Sequence, residues 1–386
     1  MATADRSASG QQADIPFVLM RGGTSKAVFL RQGDLPSDRQ ERDRVILSLF
    51  GSPDPRQVDG LGGADILTSK LAIIGPPSRA DADLDYTFAQ VSVSEPVVDY
   101  DINCGNISAA VGPYAVDEGL VPAVEPLTTV RIHNTNTGRI LVAELPVAGG
   151  VAAVEGDFAI DGVPGTGAPV RLDWAATAGG ATGALLPTGR VTDLLELPGL
   201  GRSVETSIVD IGNLSVFFRA EAAGMAGTEG PSDLTAEALE AAVAVKEAAA
   251  ALLGLPAGGL VPVPVAVAEP AAYRSYATGA TVSAGELDLL ARVVGGRPPV
   301  LHKAFPGTVG VCTAVAAAVP GTVVALAARR TGGDAFVIGH PSGLLPVWAR
   351  VRAAAGGWEV EQAAYARTAR RLAEGHAFVR RSVWPA

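Results

Sequence analysis

The chain has 386 residues, 48% of them apolar and 18% charged, with a formal net charge of −10. That is enough apolar material for a large core, and the length suggests two domains rather than one. The acidic balance, with no useful run of Lys or Arg, argues against a nucleic-acid partner, so an anionic ligand has to be held locally.

The N-terminal MATADRSASGQQAD is polar and small and lacks the basic-then-apolar order of a secretion signal, so residues 1–14 are expected to form a loose, disordered tail. FVLM and AVFL read as strands, and the string between them, MRGGTSK, gathers Arg21, Gly22, Gly23, Thr24, Ser25 and Lys26. Two glycines freeing backbone amides, two hydroxyls and two cations suit an anion cradle; a plain turn between strands is the other reading. The spacing is not that of a Walker phosphate loop. Next comes DGLGGADILTSKLAIIGPP, where Lys70 stands at the junction of a Gly-rich loop and the apolar strand LAII. Burial there would disfavour its charged form and suit a base, whereas a lysine at a strand end is otherwise a solvated surface group.

YTFAQVSV reads as a further strand and leads to DYDINCGNISAAVG, residues 99–112. Asn, Cys and Gly fit neither strand nor helix interiors, yet Ile107 to Val111 opens a buried helix, so the cluster sits at a helix mouth. Amides there carry partial positive charge, bind carboxylates and activate a thiol, which makes Cys104 a candidate acid/base; the alternative is a small buried hydrophobe. TVRIHN, ILVAELPV and SVFFRA are read as strands, with a Pro/Gly-rich patch between Leu185 and Gly201. LTAEALEAAVAVKEAAAALLG is the strongest helix, ended by Gly254 and Pro256, and a second is expected from Ser283, where Ser283 and Glu286 have capping-box spacing before LDLLARVV. Gly307 to Ala328 is long enough to cross a bilayer, but Pro320-Gly321 breaks it, so a buried helix, a turn and a strand TVVALAA are expected, and no membrane span. LHKAFPGT and IGHPSG add His302, Lys303, Thr308, His340 and Ser342, each of which could by itself be an ordinary loop residue. The two cysteines, Cys104 and Cys312, cannot build a disulfide framework or a zinc site, and the four histidines lack ligand spacing, which suits a reducing cytoplasm and no metal.

The halves echo each other weakly: a glycine-containing turn opens onto a small apolar helix at NCGNISAAVG and again at FPGTVGVCTAVAAA. Strands with sparse helices imply an α+β protein of two halves. Taken together and in order, MRGGTSK, GLGGADILTSK, NCGN, GTEGP, HKAFPGT and GHPSG resemble the PrpF family of 2-methylaconitate isomerases and related tautomerases of unsaturated di- and tricarboxylates. The resemblance implies a diaminopimelate-epimerase-like fold of two pseudo-symmetric α+β domains with the active site between them. The domains are expected at 15–187, which the C-terminal segment could complete, and 188–386. It implies an isomerase that shifts a proton and double bond without a cofactor, acting on a small polycarboxylate, with a homo-oligomer allowed. Lys70 and Cys104 are the implied proton-transfer residues. Arg21, Gly23, Thr24, Ser25, Lys26, Ser69, Asn103, Gly105, Asn106, His302, Gly307, Thr308, His340, Ser342 and Gly343 are the candidate substrate contacts.

Epimerases sharing that fold use two cysteines, and alignment on the GT of FPGT puts the second reactive position at Pro306, leaving Cys312 inside the helix as packing. Asp65, Ile66 and Leu67 and the stretch GGRPPVLHK depart from the usual family pattern and bear on which acid fits. Two other classes stay open at this point: a non-catalytic carboxylate-binding accessory protein, and a two-base amino-acid epimerase.

Overall fold

The computed structural model describes residues 10–100, 103–295, 299–329 and 335–385. The chain falls into two compact units, 1–172 with 367–386, and 173–366. The division thus comes at 172/173, earlier than 187/188, and the C-terminal segment belongs with the first unit. Of the tail expected over 1–14, residues 1–9 lie outside the described residues, while Gln12–Asp14 already pair in the first strand.

In the first unit, β1 (Gln12–Gly22) turns at Gly23-Thr24 into the antiparallel β2 (Ser25–Arg31). After α1 (Arg39–Phe50) the chain lays β3 (Lys70–Gly75) parallel to β2 and β4 (Leu84–Val91) antiparallel to β3. The far edge of β4 takes the short β5 (Val98–Asp99) at one end. After α2 (Gly105–Asp117), the parallel β6 (Leu127–Asn134) joins that edge at its other end, followed by β7 (Arg139–Ala148). Residues 369–380 of the C-terminal strand close the other side of β1. The two helices take opposite faces because strand side chains alternate. Val28 and Leu30 of β2 join Val45, Ile46, Leu49 and Phe50 of α1 in one core, whereas Phe29 between them meets Tyr114 of α2, ring centroids 5.1 Å apart. Each such large side chain removed from water contributes roughly 1.5–3 kcal/mol before ordering costs.

The second unit repeats this connectivity. Behind β8 (Asp193–Leu197), the antiparallel pair β9 (Arg202–Val209) and β10 (Ser215–Arg219) is followed by α3 (Ala236–Leu252) and by β11 (Val263–Ala268), parallel to β10. Then come β12 (Leu289–Gly295), α4 (Gly307–Ala318), α5 (Val323–Ala327), β13 (Phe336–His340) parallel to β12, and β14 (Gly343–Ala354). In both units a hairpin, a helix, a parallel strand, its antiparallel partner and a second buried helix precede a second parallel strand and its partner. The alanine-rich face of α3, Ala238, Ala241, Ala242, Val245 and Ala249, packs on Leu195, Val204, Ile208, Phe218 and Ala266. The echo noticed between NCGNISAAVG and FPGTVGVCTAVAAA falls on equivalent helices, α2 and α4.

Two local expectations are corrected. LDLLARVV is not a helix but the central strand β12, hydrogen-bonded on both sides and buried at every position from Leu289 to Val294. A strand with two covered faces loses its alternation and reads as an unbroken apolar run. The capping box of Ser283 and Glu286 is present, but it closes the short 3-10 turn Ala284–Glu286. TVVALAA is a helical turn, α5, not a strand, because Thr322 accepts a hydrogen bond from the Ala325 amide at 3.0 Å and caps it.

Candidate functional site

The hairpin turn of β1 and β2 rests on the N-terminus of α2. A Cβ at Gly22 would lie 2.3 Å from the Asn106 carbonyl oxygen, and one at Gly23 (φ +50) would lie 2.1 Å from Asn106 Oδ1. Only glycine permits this approach and that left-handed backbone. Asn106 Nδ2 donates to Thr24 Oγ1 at 3.0 Å, and Arg367 Nε donates to Asn106 Oδ1 at 3.1 Å. On its other side the hairpin meets the loop before β3, with the Lys26 amide donating to the Leu67 carbonyl at 2.9 Å. The RGGTSK, TSK and NCGN strings, far apart in sequence, are brought to one place in the first unit by three short-range contacts.

Cys104 is the N-cap of α2, half-buried, with an extended backbone (φ −131, ψ 98). Its carbonyl accepts the Ser108 amide at 2.9 Å and the Ser108 hydroxyl at 3.0 Å, while its own amide donates to Asn103 Oδ1 at 2.8 Å. Asn103 is steadied by the buried Asn134, whose Nδ2 donates to the same oxygen at 3.2 Å. The cap side chain makes no hydrogen bond to the helix, so the first amides of α2 have no side-chain partner from the cap.

Lys70 opens β3 and is only 7% exposed. Its Nζ donates to Gln90 Oε1 at 2.7 Å and lies 5.3 Å from the centre of the Phe88 ring. In the ladder Lys70 faces Gln90, and Gln90 faces Asp99 of β5, the strand that runs toward the Cys104 mouth. Lys70 and Asp99 are therefore two strand spacings apart, on the order of 10 Å in backbone terms.

The cradle residues divide by role. Ser25 is buried and its hydroxyl has no hydrogen-bond partner, so it can turn to a ligand. Arg21 is different: its Nη1 donates to the Gly23 carbonyl at 3.1 Å and to the carbonyl and hydroxyl of Thr368 at 2.9 and 3.0 Å, tying the turn to the C-terminal strand. Burial, and then the neighbouring Arg370, lower its pKa from the usual guanidinium value. Ser69 departs from the expectation of a substrate contact. It is fully buried, with its hydroxyl donating to Gln57 Oε1 at 2.6 Å, and serves the loop rather than a ligand.

In the second unit α4 begins at Gly307 with Pro306 as N-cap. Gly212 (φ +63), in the turn between β9 and β10, approaches the Thr308 carbonyl so that a Cβ would lie 2.5 Å from it, as Gly22 approaches Asn106. Gly307 presses on the Tyr365 ring, where a Cβ would come within 2.5 Å. His340 is buried and stacked on Phe305 with ring centroids 6.1 Å apart, and its Nδ1 lies 3.3 Å from the Ser342 amide. The Ser342 hydroxyl donates to the Lys303 carbonyl, the Gly343 carbonyl accepts from Tyr273, and His302 Nδ1 lies 2.8 Å from the Ala304 carbonyl. The strings HKAFPGT and GHPSG are thus one cluster around the start of α4. Cys312 is fully buried in α4, its Sγ donating to the Val209 carbonyl at 3.4 Å, and burial pushes its pKa up to about 12.

Residues the sequence reading missed are Gln90, Asn134, Arg367 and Thr368. Gln90, Arg367 and Thr368 sit inside ordinary strand strings with no flanking glycine or turn residue and acquire their partners only through strand pairing or chain return, while Asn134 ends β6 at the turn of residues 135–138. Among the described residues no group of three or more His, Cys, Asp or Glu could hold a metal ion, and no helix is long and apolar enough to cross a membrane.

Two like-connected α+β units define an epimerase-type fold. A solved hydroxyproline epimerase from Agrobacterium vitis has the same fold, with a TM-score of 0.53 at 12% identity over 95% of this chain and 92% of that one. The family described as PrpF protein matches residues 12–380, and the chain belongs to it. The 3-methylitaconate isomerase of Eubacterium barkeri is 49% identical over 96% of this chain and 98% of its own. A 2-methyl-aconitate isomerase of Shewanella oneidensis is 40% identical over 96% and 97%. The crystal structure of a methylitaconate-delta-isomerase matches with a TM-score of 0.90 at 48% identity, over 97% of this chain and 98% of that one.

Proposed function

We propose that the protein moves a proton and a double bond within an unsaturated di- or tricarboxylate, with Lys70 and Cys104 as the acid/base pair. The observation that carries this reading is that one hairpin of the first unit contacts both the N-terminus of α2, which Cys104 caps, and the loop that leads into the buried Lys70. Shifting an alkene by one position removes a proton from the carbon beside the conjugated system and returns one two carbons away. Between the two transfers the electron pair is spread over the alkene and a carboxylate. Amides at the start of α2 and the cation Arg367 beside Asn106 favour that spread charge, which grows on the carboxylate oxygens. Thr24, Asn106 and the open hydroxyl of Ser25 are polar groups suited to orient the substrate's carboxylates. The same kind of contact is proposed for Gly307, Thr308, His302, His340, Ser342 and Gly343. The substrates of the relatives, methylitaconate and methylaconitate, fix the class to be tried first. A cytoplasmic location goes with this reading, favoured by two free thiols.

A two-base epimerase is disfavoured because the residue capping α4 is Pro306 and Cys312 is sealed in the helix. The test is a panel of 3-methylitaconate, 2-methylaconitate and 4-oxalomesaconate incubated with the protein in deuterated water and followed by ultraviolet absorbance and proton NMR. Turnover of at least one acid, with solvent deuterium at the carbon that receives the proton, is expected. Inertness toward all three, or hydration of the double bond, would refute the proposal.

A further inference from the structure

A buried lysine that hands over a proton has to be aimed, and the structure contains the aiming device. Gln90 stands opposite Lys70 in the β3–β4 ladder and accepts from its Nζ at 2.7 Å. The other end of the same carboxamide, Nε2, donates to the Ser69 carbonyl at 2.9 Å. An amide nitrogen can only donate and an amide oxygen can only accept, so the bond to Ser69 forbids the flipped orientation and keeps Oε1 on the lysine. Ser69 is itself fixed, through its hydroxyl, to Gln57. Gln57 is buried, has a left-handed backbone (φ 44), and accepts the Ala64 amide at 2.8 Å while donating to Ser52 Oγ at 3.0 Å. The Gly-rich loop thus ends in a rigid chain of contacts, Gln57 to Ser69 to Gln90 to Lys70.

We propose that Gln90 is the positioning residue for proton transfer by Lys70. Its oxygen accepts one N–H whether the lysine is an ammonium or an amine. It thereby turns the two remaining protons of the ammonium, or the remaining proton and the lone pair of the amine, away from β4 and toward the substrate. The inference rests on the reading that Lys70 carries a proton in the reaction. It also explains why a neutral amide serves here rather than a carboxylate, since a negative partner at this distance would hold the lysine in its charged form and oppose release of the proton.

Three variants test this beside Lys70→Ala, using whichever acid of the panel the wild type turns over. Gln90→Leu, nearly isosteric but without an acceptor, is expected to lower kcat about 10–100-fold with KM within about threefold, the scale of a reacting group misplaced by an ångström. Gln90→Glu is expected to move the lysine-dependent limb of the pH–rate profile upward by about one unit or more. The ¹³C resonance of Lys70 Cε, assigned with Lys70→Arg, should show the same upward move of its titration midpoint without any substrate. If Lys70→Ala is inactive while Gln90→Leu keeps wild-type kcat and Gln90→Glu keeps the wild-type midpoint, the positioning role is overturned and the reading of Lys70 stands. If Lys70→Ala retains wild-type turnover, the reading of Lys70 falls and the inference with it.

Discussion

The mouths of α2 and α4 are built to one plan and furnished differently. In each, a hairpin glycine crowds the carbonyl of the second residue after the cap, Gly22 on Asn106 and Gly212 on Thr308. In each, the helix interior that runs back from that contact is buried, Ile107 to Val116 in α2 and Thr308 to Ala316 in α4. The caps themselves are Cys104 and Pro306, and the parallel strands that follow the first helix begin with Lys70 in one unit and Val263 in the other. One unit therefore carries both groups that can hold a proton at these places, and the other carries neither. The fold's duplicated frame supplies two anion-favouring helix ends, and proton transfer is proposed at one of them.

Removing the groups that differ should have the largest effect. Lys70→Ala and Cys104→Ala are each expected to lower turnover about 10²–10⁴-fold, the usual contribution of a general acid or base, with the circular dichroism spectrum unchanged. Cys312→Ala, in the second unit, should stay within a few-fold of wild type in a steady-state assay.

The glycine contacts sharpen the comparison at a lower level. Gly23→Ala meets both a left-handed backbone, costing about 1–2 kcal/mol, and the Asn106 side chain, so the turn must shift away from the α2 mouth. A loss of kcat of about tenfold is expected from the displaced groups. Gly212→Ala faces the same strain at α4, yet should change KM and melting temperature more than kcat, because no proton-transfer group sits on that contact.

The smallest effect is alkaline and belongs to Cys312. Its folded pKa of about 12 lies above the ordinary thiol value of 9.0, so below pH 9 the thiol is neutral in both folded and unfolded chains. Above pH 9 only the unfolded chain ionises, and stability falls as pH rises through this window. Urea melts at pH 10 should show the wild type losing roughly 1 kcal/mol, relative to its stability at pH 8, that Cys312→Ala does not lose.

How much of this was legible in the sequence depends on the range of the contact. The strands FVLM, AVFL and LAII and the helix of residues 236–252 follow from local pattern, and NCGN announced its helix mouth because four helix-poor residues precede an apolar run. β12 was misread because double-sided burial erases the period of two, and α5 because its β-branched residues outweighed a single capping threonine. In the candidate site, residues beside glycines were visible. Gln90 and Arg367 were not, since a glutamine in YTFAQVSV and an arginine in AYARTARR acquire meaning only from the strand or helix laid beside them. Arg21 and Ser69 were visible for the right strings, but their hydrogen bonds go to the protein's own backbone and to Gln57. The departures at Asp65, Ile66 and Leu67 lie in the loop just before Lys70, with Ile66 66% exposed, whereas Gly296, Arg297 and Pro298 of GGRPPVLHK lie outside the described residues.

The one-sided assignment is tested most directly by solvent deuterium in single-site variants, read by proton NMR on substrate and product together. Lys70→Ala and Cys104→Ala should stop deuterium entering either molecule, while Cys312→Ala should incorporate it at the wild-type position. Continued exchange in both first-unit variants, or its loss in a second-unit variant that remains folded, would contradict the account.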